Sequence, residues 1–178
     1  MKKSWWFIVG AWTGLLCVFF SLFLNVVDMG EMSGGYSSFS TVLADISRHY
    51  KVFPIGLYNA FLIISFILCV LVVAFLVMEE FKLFNVDAKV MKLIKLITGG
   101  SVALFGILVL IFGISFVASL NTSLGGNSSA VMTMGGSAFA CFFGSTFCGL
   151  AIAGNELLNL KKPSKTSGSN VVDADEQN

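Results

Sequence analysis

Four kinds of side chain in this 178-residue sequence could carry chemistry: thiols, one imidazole, amides at membrane depth and small residues in register. The thiols are Cys17, Cys69, Cys141 and Cys148. No two of them form a C-x-x-C pair, so the reactive dithiol of a membrane disulfide exchanger is lacking. All four fall inside apolar runs, and the polar segments between the runs contain no Cys, which leaves no exported disulfide framework. Cys141 and Cys148 are seven apart and share a helix face, where a thiol serves as a small packing group. The single imidazole, His49, has Asp45 four residues before it. One His does not make a metal site, and the pair reads as a solvated polar face. No span carries a nucleophile beside a base, a metal set or a pair of acids. A non-enzymatic chain without a cofactor is the expectation.

Proton coupling needs an ionisable group at membrane depth. The small four-helix multidrug exporters carry a Glu in their first span, and here the four apolar runs hold no Asp or Glu. Polar groups at depth are mild. Asn25 and Asn59 are expected near the outer ends of the first two spans, where a hydrogen bond between them contributes about 0.6–1 kcal/mol. Two N-x-S/T sequons, at Asn121 and Asn127, lie in one uncharged polar segment on the expected outer side, the side on which glycosylation occurs.

The small residues are the most organised feature. Gly136, Ala140, Gly144 and Cys148 form one i+4 row, and Ser137, Cys141, Ser145, Gly149 and Ala153 form the row beside it. Together they make a broad flat face against which another helix can approach closely. Earlier in the chain stand Gly10-x-x-x-Gly14, extended by Cys17 and Ser21, and the set Gly99, Ala103, Gly106 and Gly113. Such faces serve packing within one bundle, or receive a partner helix or a second copy of the chain. The fourth run is expected to be the tightest-packed helix.

The elements that position these residues follow from composition. Hydrophobic residues make up 56% and charged residues 12%, against about 25% charged in a soluble domain. The net charge of +1 excludes bulk electrostatic capture of nucleic acid. Four stretches reach the roughly 20 apolar residues that a membrane helix needs: 5–27, 53–78, 93–120 and 130–154. They are continuous rather than alternating, which excludes a membrane β-barrel. Lys2 and Lys3 precede the first run, but it is too long for a signal-peptide core and no small-x-small site closes it, so it reads as a retained span. Inner segments then hold Lys2, Lys3, Lys82, Lys89, Lys92, Lys95, Lys161, Lys162 and Lys165, and outer segments only Arg48 and Lys51. The positive-inside rule gives both termini in the cytoplasm. Trp5 and Trp6 suit the headgroup belt, and Trp12, deeper, is expected to pack on a neighbour.

Between the first two spans, Asp28 to Gly35 is turn-rich. Phe39, Val42, Leu43, Ile46 and Tyr50 then recur at helical spacing and predict a short amphipathic helix on the outer surface, capped by Ser38 or Ser40. Pro54 sits in the first turn of the next span, where a missing N–H is harmless. On the inner side Asp87 is placed to cap a helix through Lys89, Lys92 and Lys95, whose ammonium groups would face anionic headgroups.

This layout resembles claudin-like and MARVEL-type proteins in outline. The first outer segment has neither Cys nor Trp, whereas claudin-like proteins carry a G-L-W-x-x-C-type motif and a Cys pair there, so the resemblance covers topology alone. The expectation is an all-α membrane protein. Residues 1–160 form an antiparallel bundle of four transmembrane helices, N-in and C-in, with the amphipathic helix in the first outer loop. A disordered cytoplasmic tail covers 161–178. Its expected place is the plasma or cytoplasmic membrane. Its expected role is subunit, scaffold or immunity-type partner of another membrane component, through the small-residue faces. An oligomeric channel or transport component, and a lipid-binding or membrane-organising protein, are the alternatives. Expected partners are membrane lipids and a membrane protein or a second copy, and not nucleic acid.

Overall fold

The computed structural model describes residues 4–28, 35–37, 39–49, 55–81, 87–123 and 133–160. Pro54, Ser38, Tyr50, Asn127 and the tail 161–178 lie outside them. Among the described residues, five helices and three short strands follow in chain order: α1 (Ser4–Ser21), β1 (Asn25–Asp28), β2 (Gly35–Ser37), α2 (Thr41–His49), α3 (Ile55–Glu80), α4 (Ala88–Ser123), β3 (Thr133–Met134) and α5 (Gly136–Leu160).

The long helices form where the apolar runs predict them. α3, α4 and α5 are each long and apolar enough to cross a membrane, which marks an integral membrane protein. α4, with 36 residues, extends about 54 Å at 1.5 Å per residue. Asp87 caps it: the Lys89 N–H donates to Asp87 Oδ1 at 3.0 Å, and the Met91 N–H donates to the Asp87 carbonyl at 2.9 Å.

The first run departs from expectation. Its helix stops at Ser21 instead of continuing to Val27, and its apolar stretch Trp5–Ser21 is shorter than the other three. The Ser21 hydroxyl donates to the Val18 carbonyl at 2.6 Å, taking an acceptor from the last turn. Leu22 and Phe23 donate back three residues, the tightened geometry of a helix end. The chain then extends, and the mostly helical fold carries in addition a small antiparallel sheet in the order β2-β1-β3. Val27 pairs with Tyr36 on one side and Met134 on the other. The Gly135 N–H adds a bond to the Val26 carbonyl at 2.8 Å. Val26 and Val27 are apolar like the run before them, but they are β-branched and fully buried within this sheet.

The sheet lies at one end of the molecule, the cap end. The amphipathic α2 begins directly after Ser40, whose carbonyl accepts from the Ala44 N–H. Leu43 is buried, Ala44 and Ile46 pack on the core, and Phe39 and Val42 stay exposed. The inward face is therefore narrower than the predicted apolar stripe.

Contacts fix the helix directions. Along α1 and α5 the neighbours are Phe7 with Gly154, Gly14 with Gly144, and Leu24 with Gly136. Along α4 and α5 they are Gly99 with Gly149, Gly106 with Ser145, and Gly113 with Ala138. Both pairs run antiparallel, with α5 between α1 and α4. α3 meets α1 through Phe66 and Phe19, and meets α4 through Phe61, packed against Phe105 and Phe112.

Candidate functional site

Three arrangements of side chains stand out: a set of glycine crossings, a buried polar ladder, and an ion triad at the end opposite the cap.

The small residues meet one another. A β-carbon on Gly14 would lie 2.5 Å from the Gly144 carbonyl oxygen, and one on Gly99 would lie 2.8 Å from that of Gly149. Both distances are shorter than any van der Waals contact, so these positions admit only hydrogen. The first row on α5 faces α1 through Gly144 and Cys148, and the second faces α4 through Ser145, Gly149 and Ala153. Ala103 and Gly106 complete the α4 side. Gly10 makes an ordinary contact with Ala151, half-buried Ala140 stands between Gly136 and Gly144 in the first row, and Gly136 is exposed. Most of the faces proposed to receive a partner are thus occupied by the chain's own helices.

The polar ladder sits near the cap end. The Ser137 hydroxyl donates to the Ser21 carbonyl at 2.7 Å. Its one proton is then committed, so the buried Tyr58 hydroxyl, 3.0 Å away, is the donor to Ser137 Oγ. Three helices, α3, α5 and α1, are joined by two hydrogen bonds. Further along, the Cys148 thiol donates to the Ala11 carbonyl at 3.2 Å, and Cys141 Sγ lies 3.9 Å from the Ser145 hydroxyl. All four thiols are free. Cys69, Cys141 and Cys148 are buried, and Cys17 is half-buried.

The ion triad was not read from sequence. Lys95 Nζ donates to Glu79 Oε1 at 2.5 Å, and Glu156 Oε1 lies 3.6 Å away. Lys95 is only 8% exposed, which corrects the expectation that its ammonium faces headgroups. Glu79 stands on the last turn of α3 and Glu156 near the end of α5, so one cation ties the ends of three helices. The signal was present: Glu79 and Glu156 lie just beyond the apolar runs of their helices and Lys95 in the entry turn of its own, and antiparallel helices bring such boundaries to one level. Lys89 is exposed and Lys92 half-buried.

Asn25 is also corrected. It opens β1 rather than lying in a helix, and its amide donates to Asp28 Oδ1 at 3.1 Å. Asn59 is half-buried in the second turn of α3. Asn121 is half-buried in the last turn of α4, in helix rather than in the surface loop a sequon needs. Trp12 does not pack into the core: it is 48% exposed. With Trp5, Val9 and Leu16 it lines an apolar groove between α1 and α3. Among the described residues, no three His, Cys, Asp or Glu are grouped to hold a metal ion.

Compared with protein-family models, with characterised proteins and with solved structures, the chain matches none.

Proposed function

We propose that this chain is a tetraspan membrane protein of non-enzymatic role. It acts as a rigid subunit or scaffold for another component of the plasma or cytoplasmic membrane. In this reading α1 is the fourth span, both termini are cytoplasmic, and the sheet with α2 forms an outer cap. The lysine distribution supports the orientation, and the 18 residues of α1 rise about 27 Å, close to the roughly 30 Å hydrocarbon core.

One observation carries the role: the centre is locked by backbone contact. With Gly14 on Gly144 and Gly99 on Gly149, the space between α1, α5 and α4 is closed. What such a molecule offers to others is its cap and its membrane-facing side. The occupied glycine faces count against a partner helix docking on Gly14, Gly99, Gly106, Gly144 or Gly149, so the docking surface proposed for a partner protein is the cap.

Single-cysteine variants in a Cys-free background test the topology. Ser37→Cys should label from outside the cell and Lys89→Cys only after permeabilisation, and the reverse pattern overturns the orientation. Isolation in native lipid tests the role: a stoichiometric second polypeptide, lost on Val42→Asp in α2, is expected. Ion or solute flux from purified protein in liposomes would instead establish the channel reading.

A further inference from the structure

Two thiols face each other across α3 and α5. Both helices run from the cap towards the ion triad, and the 3.0 Å contact between the Tyr58 and Ser137 hydroxyls sets their register. Cys69 lies eleven residues beyond Tyr58 on α3, and Cys148 lies eleven beyond Ser137 on α5. At 1.5 Å per residue both descend about 16 Å, so the two sulfurs arrive at one level. Both residues are fully buried. The Cys69 thiol interacts with the Cys148 thiol and with the Ser145 hydroxyl. Cys141 stands only four residues beyond Ser137, about 10 Å short of that level. Cys17 lies on α1, beside Gly144. The pair spans two helices distant in sequence, so a search for C-x-x-C does not find it.

Its place in the bundle gives the pair an effect. The glycine crossings lock α5 to α1 and to α4, and α3 has no part in them. α3 meets α5 through side chains, Tyr58 with Ser137 near the cap and the thiols at mid-helix. A covalent bond at Cys69 would tie down the long helix that backbone contact leaves out.

Among the described residues, no third His, Cys, Asp or Glu completes a metal site with these two, so their chemistry is that of a dithiol. A sealed site at membrane depth excludes charged oxidants, and hydrogen peroxide is small and uncharged. We propose that Cys69 and Cys148 are a redox pair, joined by sustained exposure to hydrogen peroxide into a disulfide between α3 and α5. One thiol takes an oxygen from peroxide, becoming a sulfenic acid and releasing water. The second sulfur attacks the first. The S–O bond breaks, the S–S bond forms and a second water leaves. The sulfurs together lose two electrons and two protons, and peroxide gains both. The pair needs neither a partner protein nor a given orientation, so its failure leaves the scaffold reading untouched.

The test treats the full chain in nanodiscs with hydrogen peroxide, then unfolds it in the presence of an alkylating reagent. Intact mass should show four alkylated thiols before treatment and two after it, with four restored by a reductant. Peptide mapping without reduction should place the bond between Cys69 and Cys148. Cys69→Ser and Cys148→Ser should each abolish the bond, and Cys141→Ser should keep it. Should the first two variants not fold, the peptide map of the unaltered chain gives the answer. The oxidised chain should melt at a higher temperature than the reduced one. Four alkylated thiols after peroxide overturn the proposal. So does a bond to Cys17, to Cys141 or to a second chain, oxidation of either sulfur to sulfinic acid without a bond, or an unchanged melting temperature in the bonded form.

Discussion

Gly14 of α1 and Gly144 of α5 touch backbone to backbone: a β-carbon on Gly144 would lie 2.6 Å from the Gly14 carbonyl oxygen and 2.7 Å from Val18 Cγ2. Lipid tails are as apolar as leucine, so close approach of this kind is a main source of association energy between membrane helices.

Gly144→Ala should therefore lower stability by about 1–3 kcal/mol, the cost of forcing extra volume into a packed core. Gly144→Leu should prevent α1 from closing on α5. Gly100, with nothing within 4 Å of its would-be β-carbon, is the control, and Gly100→Ala should be neutral or stabilising by up to about 1 kcal/mol. Thermal melting in detergent checks the ranking, and equal losses at the two sites would contradict the crossing.

The ladder from Tyr58 through Ser137 to Ser21 makes an asymmetric prediction. Tyr58→Phe removes a donor and leaves Ser137 bonded to the Ser21 carbonyl, at a cost of about 0.6–1 kcal/mol. Ser137→Ala strands both the Tyr58 hydroxyl and that carbonyl in the interior, costing about 1–3 kcal/mol. Unfolding in mixed micelles should rank Ser137→Ala below Tyr58→Phe.

Lys95 faces two carboxylates, so its loss is felt by both. Lys95→Met leaves Glu79 and Glu156 without their cation. The cost should fall at the low end of the roughly 3–5 kcal/mol found when a buried pair is broken, because Glu79 is partly solvated. Adding Glu79→Gln and Glu156→Gln should restore much of that loss, since the three charges act as one unit. Strict additivity in the same unfolding measurement would separate them.

Two adjacent glycines should behave differently at the cap. A β-carbon on Gly135 would collide with the Asn25 carbonyl, whereas one on Gly136 meets only Leu24 Cδ1 at 3.6 Å. Hydrogen exchange at Val26 and Val27 should quicken in Gly135→Ala and stay slow in Gly136→Ala.

How much of this was legible beforehand depended on the length of the signal. Runs of 25 residues or more, such as α3 and α5, announce themselves by apolar content, and Asp87 marked its helix start. Both glycine rows on α5 were visible as i+4 repeats, and the structure adds which neighbour each row faces. The end of α1 was not legible. Leu22 to Val27 is as apolar as the helix before it, and only pairing with residues 35–37 and 133–134 makes part of it a strand. Hydropathy does not see a partner more than a hundred residues away. Lys95 was misread for a related reason: a lysine near a helix start marks a membrane boundary in sequence, and whether it meets lipid or a carboxylate depends on helices that come before and after it.

The place of α5 between α1 and α4 also sets an order of events. The ribosome delivers this helix after α1, α3 and α4, together with β3, which supplies one edge of the cap sheet. Until then the glycine faces of α1 and α4 have nothing to close upon. A nascent chain halted before residue 133 is an open clamp, and synthesis of β3 and α5 is the step that shuts it. Maturation of this protein therefore waits on α5, and translation pausing or truncation before it should send the chain to membrane quality control rather than yield a shorter working form.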